Sequence, residues 1–177
     1  MNRFDDATRA QVDAADPITS TWLSANAGSG KTRVLTTRVA RLLLGGVDPQ
    51  NILCLTYTKA AAGEMQNRLF GQLGRWSMMP DEKLRSELSD LGEVGQINAD
   101  DLAKARRLFA TAIETPGGLK IQTIHSFCSS ILRRFPLEAQ VSPGFSEIDD
   151  RTAERLRLDV LDDIASGPNL ALKTEKS

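Results

Sequence analysis

The chain has 177 residues, of which 41% are hydrophobic and 25% charged, and this ordinary globular composition excludes a fibrous protein and a membrane-embedded one. Its 22 basic and 23 acidic residues leave a formal net charge of -1, so any contact with nucleic acid must come from local clusters of basic residues. Cys54 and Cys128 each lie in an apolar run without C-x-x-C spacing. Together with a polar, acidic N-terminus that lacks a signal sequence, they predict a cytoplasmic protein with buried, reduced thiols and no membrane association.

The first part of the chain predicts a helix, a strand, a glycine-bearing loop and a second helix. Residues 8–15 have a helical pattern that ends before Pro17, because the residue before a proline is disfavoured in the α region. Residues 18–24 are rich in threonine and apolar side chains, which favours a strand. After the loop, residues 32–44 carry apolar side chains at helical spacing, and Gly45-Gly46 suits a left-handed helix exit.

The order of strand and helix repeats farther along the chain. Residues 52–57 form a short apolar run that predicts a strand buried on both faces, and residues 60–73 predict a helix. Another strand is predicted at 119–124, followed by a helix at 126–135. This alternation predicts an α/β fold with a parallel sheet and right-handed helical crossovers.

A polar and charged segment, at about residues 74–118, separates these units. We predict that it is a helical insertion with helices at 81–91 and 99–113, closed by Pro116-Gly117-Gly118. A last helix is predicted at 150–165, beyond the second strand-helix unit.

The loop between the first predicted strand and its helix has the pattern of a P-loop. The pattern departs from the strict form only at its first position, which is alanine instead of glycine: Ala25, Asn26, Ala27, Gly28, Ser29, Gly30, Lys31 and Thr32. Small residues let backbone N–H groups surround phosphate oxygens. The Lys31 ammonium would reach the β- and γ-phosphates, and the Thr32 hydroxyl would coordinate Mg²⁺. A flexible surface turn could share this composition, but the position between strand and helix favours a nucleoside triphosphate site in a P-loop NTPase sheet.

Two further stretches indicate which class of P-loop protein this is. ILCLTYTKAAAGEMQNRL, at residues 52–69, resembles motif Ia of superfamily 1 helicases of the UvrD/Rep type. TIHSFC, at residues 123–128, resembles the next DNA-contacting motif of that family. With ILRRFPLEA behind it, this stretch resembles in particular the AddA/RecB branch, the helicase-nuclease subunits that process double-strand breaks. The alanine at the first P-loop position is also usual in these helicases.

The resemblance implies that ATP and Mg²⁺ are the cofactors and that Gln11 reads the adenine. It also implies contacts to single-stranded DNA from residues at two strand-to-helix junctions, which are Thr56, Tyr57, Thr58, His125 and Ser126. At such junctions hydroxyls and helix N-terminal amides can face a phosphate, while the Tyr57 ring can stack on a base. From the residues alone, Tyr57 could equally be core at a strand end and His125 a packed histidine. The pair Arg133-Arg134 could bind phosphate or lie on a solvated helix face.

The same resemblance predicts the domain organisation. Residues 1–135 correspond to the N-terminal part of the first RecA-like helicase domain, and residues 136–177 to the start of a truncated helical subdomain. Hydrolysis needs carboxylates from an Asp-Glu-x-x-Asp element and an arginine from a second RecA-like domain. Asp149-Asp150 and Asp162-Asp163 each border or lie in a polar helical segment and do not follow an apolar strand, so we assign neither pair to Mg²⁺.

We therefore expect an N-terminal fragment of an ATP-dependent DNA helicase, inactive alone, that in its full-length form acts on single- and double-stranded DNA together with an AddB-like partner. One alternative is a small P-loop phosphotransferase, which would need lid arginines and an acceptor pocket. Another is a non-catalytic nucleotide-binding module that is assembled into a larger complex.

Overall fold

A computed structural model describes residues 6–24, 30–92 and 96–166 of the chain. The elements in these ranges are, in chain order, α1 (Asp6–Ala14), α2 (Lys31–Leu44), a 3-10 turn (Pro49–Asn51), β1 (Leu53–Thr56), α3 (Lys59–Met78), α4 (Asp81–Asp90), α5 (Ala99–Glu114), β2 (Lys120–Thr123), α6 (Ile124–Arg134) and α7 (Asp150–Ala165). The predicted helices are therefore present, with small differences at their ends.

The two strands form a parallel pair, as the sequence predicted. The register runs from Leu53 opposite Lys120 to Thr56 opposite Thr123. The connection between the strands passes through α3, α4 and α5, as a parallel pair requires a crossover rather than a tight hairpin. The fold class is thus α/β, with a two-stranded parallel sheet and many helices in the part of the chain that is described.

The prediction of a strand at residues 18–24 is wrong. This segment has turn and irregular backbone, and Ile18 and Trp22 are 91% and 92% exposed. A strand is stable only when a neighbour pairs with it, and among the described residues β1 and β2 pair only with each other. Within this segment the Thr19 carbonyl instead accepts a hydrogen bond from the Arg38 guanidinium.

Burial of β1 on both faces and of both cysteines was also predicted, and both predictions fail in part. Leu53 and Leu55 are each 43% exposed, whereas Cys54, on the opposite face, is half-buried and packs against the core. Helix α3 packs against the strands, so only one face of the sheet is covered within the described ranges. Cys128 is exposed.

The core lies between α2, α3, α4 and α5. The large side chains that are fully buried come from the last three of these helices, and they are Leu69, Leu73, Trp76, Leu84, Leu88 and Leu102. The Trp76 indole N–H donates a hydrogen bond of 2.9 Å to Glu87, which joins α3 to α4. Gly74 of α3 faces α5, since a Cβ at this position would lie 3.6 Å from the Phe109 ring, an ordinary van der Waals distance.

The segment predicted as a helical insertion contributes directly to this core. Its two helices are α4 and α5, and α3 itself runs on to Met78, beyond the predicted end at residue 73. Asn98 and Asp101 form a capping box at the start of α5, a pattern that stabilises a helix N-terminus by satisfying two backbone N–H groups.

The chain divides into two compact units between Phe127 and Cys128. In the second unit, Asp149 caps α7 by accepting a hydrogen bond of 2.7 Å from the Thr152 N–H.

Over the ranges that the structure covers, no helix is both long enough and apolar enough to cross a membrane.

Candidate functional site

Helix α2 begins at the residues predicted to bind phosphate. Gly30 stands at its N-cap with a φ of 88°, in the left-handed region that a glycine adopts without strain. Lys31 and Thr32 follow as its first two residues and are half-buried. Because a glycine has no side chain to cap the helix, the first turn can present its N–H groups and its positive dipole to an anion.

The other five residues of the predicted P-loop are Ala25, Asn26, Ala27, Gly28 and Ser29, and they lie outside the described residues. Their part in the phosphate cradle stays a prediction.

Gln11, the residue predicted to read adenine, lies beside the end of this loop. A Cβ added to Gly30 would be 3.4 Å from Gln11 Nε2. A side chain at position 30 would therefore contact the Gln11 amide, and the positive φ of this position would make it unfavourable for any residue other than glycine. The fold thus brings together two residues that are far apart in sequence.

Arg33 lies close to these residues, and no role was predicted for it from the sequence. It lines a cavity of about 50 Å³ together with Gln11, Val34 and Thr37, and it also lines a neighbouring cleft of about 480 Å³. A signal for it does exist in the sequence, since a cation in the first turn of a helix opposes the helix dipole.

The two predicted DNA-contacting motifs meet at one edge of the sheet. Thr56 and Thr123 are the last residues of β1 and β2 and stand opposite each other. Because the strands are parallel, Tyr57 and His125 both follow at this same edge. Tyr57 is 85% exposed and His125 is also exposed. The alternative placement of Tyr57 as a buried core residue is thus not what the structure shows.

Local hydrogen bonds order the first of these junctions. The Thr56 hydroxyl donates to the Thr58 carbonyl over 3.0 Å, and the Thr58 hydroxyl accepts from the Ala61 N–H over 3.1 Å, capping α3. The Thr58 hydroxyl thus keeps its proton for a further acceptor. These hydrogen bonds fix the backbone on either side of Tyr57. The exposed Tyr57 ring is therefore held at a defined position.

The second junction has a matching arrangement. The Thr123 side chain is buried, accepts from the Ser126 N–H over 3.2 Å and lies 2.9 Å from the Ser126 hydroxyl. This is the hydrogen bond of a helix N-cap, and it positions Ser126 and His125 in the first turn of α6. Thr123 was not predicted as a site residue, although its spacing from Ser126 is typical of a cap.

The remaining charged candidates lie in the second unit. Arg133 and Arg134 are exposed, with their guanidinium groups 5.6 Å from the centres of the Phe145 and Phe135 rings, respectively. Hydrogen bonds from the backbone and side chain of Thr152 hold the pKa of Asp149 below its ordinary value. Asp149 therefore has a structural role as the cap of α7.

The other aspartates considered as metal ligands are exposed on α7, and they are Asp150, Asp162 and Asp163. Across residues 6–24, 30–92 and 96–166, no three His, Cys, Asp or Glu side chains come together as a metal site would require.

Comparison with known proteins gives consistent matches. The family model described as UvrD/REP helicase N-terminal domain matches residues 6–176. The A subunit of an ATP-dependent helicase/nuclease from Lactobacillus gasseri is 36% identical over 136 residues, which is 76% of this chain and 9% of that protein. Proteins of the same name from Desulforamulus reducens and Alkaliphilus metalliredigens are 35% identical over 149 residues and 31% over 165, covering 82% and 93% of this chain. The chain spans 10% and 12% of the length of those two relatives.

Proposed function

The chain belongs to the UvrD/REP helicase N-terminal domain family, as its motifs predicted, and we propose that it is the ATP-binding and single-stranded-DNA-contacting part of an ATP-dependent DNA helicase. The type we propose is that of its relatives, which are helicase/nuclease proteins. On this proposal β1 and β2 belong to a RecA-like P-loop sheet, a class of sheet in which ligands bind beyond the carboxyl ends of the strands.

The start of α2 supports the ATP site. Its glycine N-cap, the Lys31 ammonium and the Thr32 hydroxyl are a donor set that suits a triphosphate with its Mg²⁺. Lys31 would bind the β- and γ-phosphate oxygens, and Thr32 would hold the metal ion. Bound ATP supplies the phosphoryl group whose transfer to water releases the free energy for movement along DNA.

The adenine base of ATP would lie on the side of α2 that faces α1. Gln11 is close to Gly30, and its carboxamide carries both the donor and the acceptor that the edge of adenine requires. Arg33 lines the same cavity as Gln11, and its planar guanidinium can stack on a base.

The observation that carries the proposal is the parallel pairing of β1 and β2. It places two sequence motifs that are nearly seventy residues apart at one edge of the sheet, with Thr56 opposite Thr123. A single strand of DNA laid along this edge would meet the exposed Tyr57 ring and then His125 and Ser126. The ring offers a stacking platform for a base, and hydroxyl and N-terminal amide groups suit the phosphates.

Membership of this family also supports a proposal for the domain organisation. We propose that residues 1–135 form the N-terminal part of the first RecA-like domain, with the insertion at about 74–118, and that residues 136–177 begin a helical subdomain. The relatives are each named as one subunit of a helicase/nuclease, which supports a partner subunit. We propose that this partner is AddB-like and that the complex is cytoplasmic and acts on single- and double-stranded DNA.

Steady-state ATP hydrolysis by the full-length protein tests this proposal. We expect single-stranded oligonucleotide to stimulate hydrolysis and Lys31→Ala to abolish it, because the ammonium stabilises the charge on the transferred phosphoryl group. A rate of ATP hydrolysis that changes neither with DNA nor with the substitution would refute the assignment of the P-loop.

A further inference from the structure

We propose that Arg38 is a positioning residue that holds α1, and with it Gln11, at a fixed distance from the phosphate-binding start of α2. The inference rests on the proposed function of the ATP site and deepens it. It assigns adenine selectivity to a residue that lies away from the nucleotide itself.

The Arg38 guanidinium lies among the backbone carbonyls at the end of α1. One of its nitrogens, Nη1, donates to the carbonyl of Asp16 over 2.6 Å and to that of Ala14 over 3.5 Å. The other, Nη2, donates to the carbonyl of Pro17 over 3.5 Å and to that of Thr19. One side chain of α2 thus binds the last turn of α1 and the irregular segment that follows it.

Helix α1 depends on such contacts. It has nine residues, fewer than an isolated helix needs to be stable in water. Its last carbonyls have no partners within the helix and carry the negative end of its dipole, which a guanidinium compensates. Arg41 acts in the same sense by donating to the Val12 carbonyl over 3.1 Å, and its side chain is only 11% exposed.

The geometry connects Arg38 to the nucleotide through a single rigid element. Lys31 and Arg38 are two turns apart and lie on the same side of α2. Gln11 lies one turn before the carbonyl of Ala14 that Arg38 contacts. The first turn of α2 would therefore bind the phosphates, while a later turn sets the position of the residue that reads the base.

Two measurements on the chain test this inference, using Arg38→Lys, Arg38→Ala, Gln11→Ala and the double variant Gln11→Ala/Arg38→Lys. The first is amide hydrogen exchange, compared between α1 and the core helices α3 and α5. The second is the ratio of dissociation constants for ATP and ITP, in which an oxygen replaces the amino group of adenine. Arg157→Lys is the matched control, since Arg157 is an exposed arginine paired with Glu154 in another helix.

We expect Arg38→Lys to speed exchange in α1 about tenfold, as for the loss of a charge-assisted hydrogen bond, without a change in α3 or α5. It should lower the preference for ATP over ITP about fivefold, to the level of Gln11→Ala, and the double variant should show no further loss. Affinity for inorganic triphosphate should not change. Lysine keeps the charge but not the planar fork, so this variant decides the test even if Arg38→Ala fails to fold.

The outcomes separate the inference from the proposed function. Unchanged exchange in α1, or equal losses of affinity for ATP, ITP and triphosphate, would overturn the role of Arg38. Additive effects in the double variant would also overturn it. If Gln11→Ala leaves selectivity unchanged, or the wild-type chain binds no nucleotide, the proposed ATP site is wrong, and the exchange measurement still decides whether Arg38 positions α1.

Discussion

Replacing Tyr57 by alanine should weaken the binding of single-stranded DNA without damaging the fold. The ring is 85% exposed, so little buried area is lost and the free energy of unfolding should change by less than about 0.5 kcal/mol. The loss of one base-stacking platform costs about 1–3 kcal/mol, which raises the dissociation constant about fivefold to 150-fold. Tyr57→Phe keeps the aromatic face and should bind nearly as well as wild type.

The assay is fluorescence anisotropy of a labelled oligonucleotide titrated with the full-length protein at several salt concentrations. Tyr57→Ala should lower affinity equally at each salt concentration, because no cation that neutralises a phosphate has been removed. Met78→Ala is the control, since Met78 is 88% exposed at the far end of α3, a helix about 30 Å long. Wild-type affinity in Tyr57→Ala, or an equal loss in Tyr57→Phe, would refute stacking.

Three further predictions concern the fold. Trp76→Phe, which removes the indole hydrogen bond between α3 and α4, should lower the free energy of unfolding in urea by about 1.5–3 kcal/mol; an unchanged midpoint would contradict this. Iodoacetamide at pH 8 should modify Cys128 before Cys54, because burial raises the pKa of the Cys54 thiol and Cys128 is exposed. Equal rates of modification of the two cysteines by mass spectrometry would contradict this prediction. The pKa of Asp149 is lowered from 3.8, so the stabilisation of α7 by the Asp149 carboxylate is present above pH 3.8 and lost as the pH falls through the lowered pKa. The chemical shift of the Thr152 amide should therefore titrate with a midpoint below pH 3.8. A midpoint at or above pH 3.8 would refute the cap.

Much of the helical structure could be predicted from the sequence, because its signals are local. Residues 150–165 were predicted as a helix, and α7 has these bounds. Helix α4 was likewise predicted to within one residue, at 81–91. The parallel pairing of the strands followed from the order of elements alone, since alternating strands and helices have few stable arrangements.

Features that depend on distant partners could not be predicted. Residues 18–24 have the composition of a strand, but a strand also needs a neighbour that supplies hydrogen bonds. Which face of β1 is covered depends on where α3 packs, and the exposure of Cys128 depends on its surroundings rather than on the apolar run in which it lies. The contacts of Arg38 with four backbone carbonyls could not be predicted either, because an arginine within a helix usually indicates a face exposed to solvent.

The most direct test of the account is the equilibrium binding of ATP to this chain, compared between wild type, Lys31→Ala and Lys59→Ala. Lys31 and Lys59 are each the first residue of a helix, so Lys59→Ala removes a lysine from the same position of a helix that is not predicted to bind ATP. We predict that Lys31→Ala weakens ATP binding by about tenfold or more, the effect of losing a charge-assisted contact to phosphate, and that Lys59→Ala binds as wild type does. Equal affinities in all three, or a loss confined to Lys59→Ala, would contradict the placement of the ATP site at the start of α2.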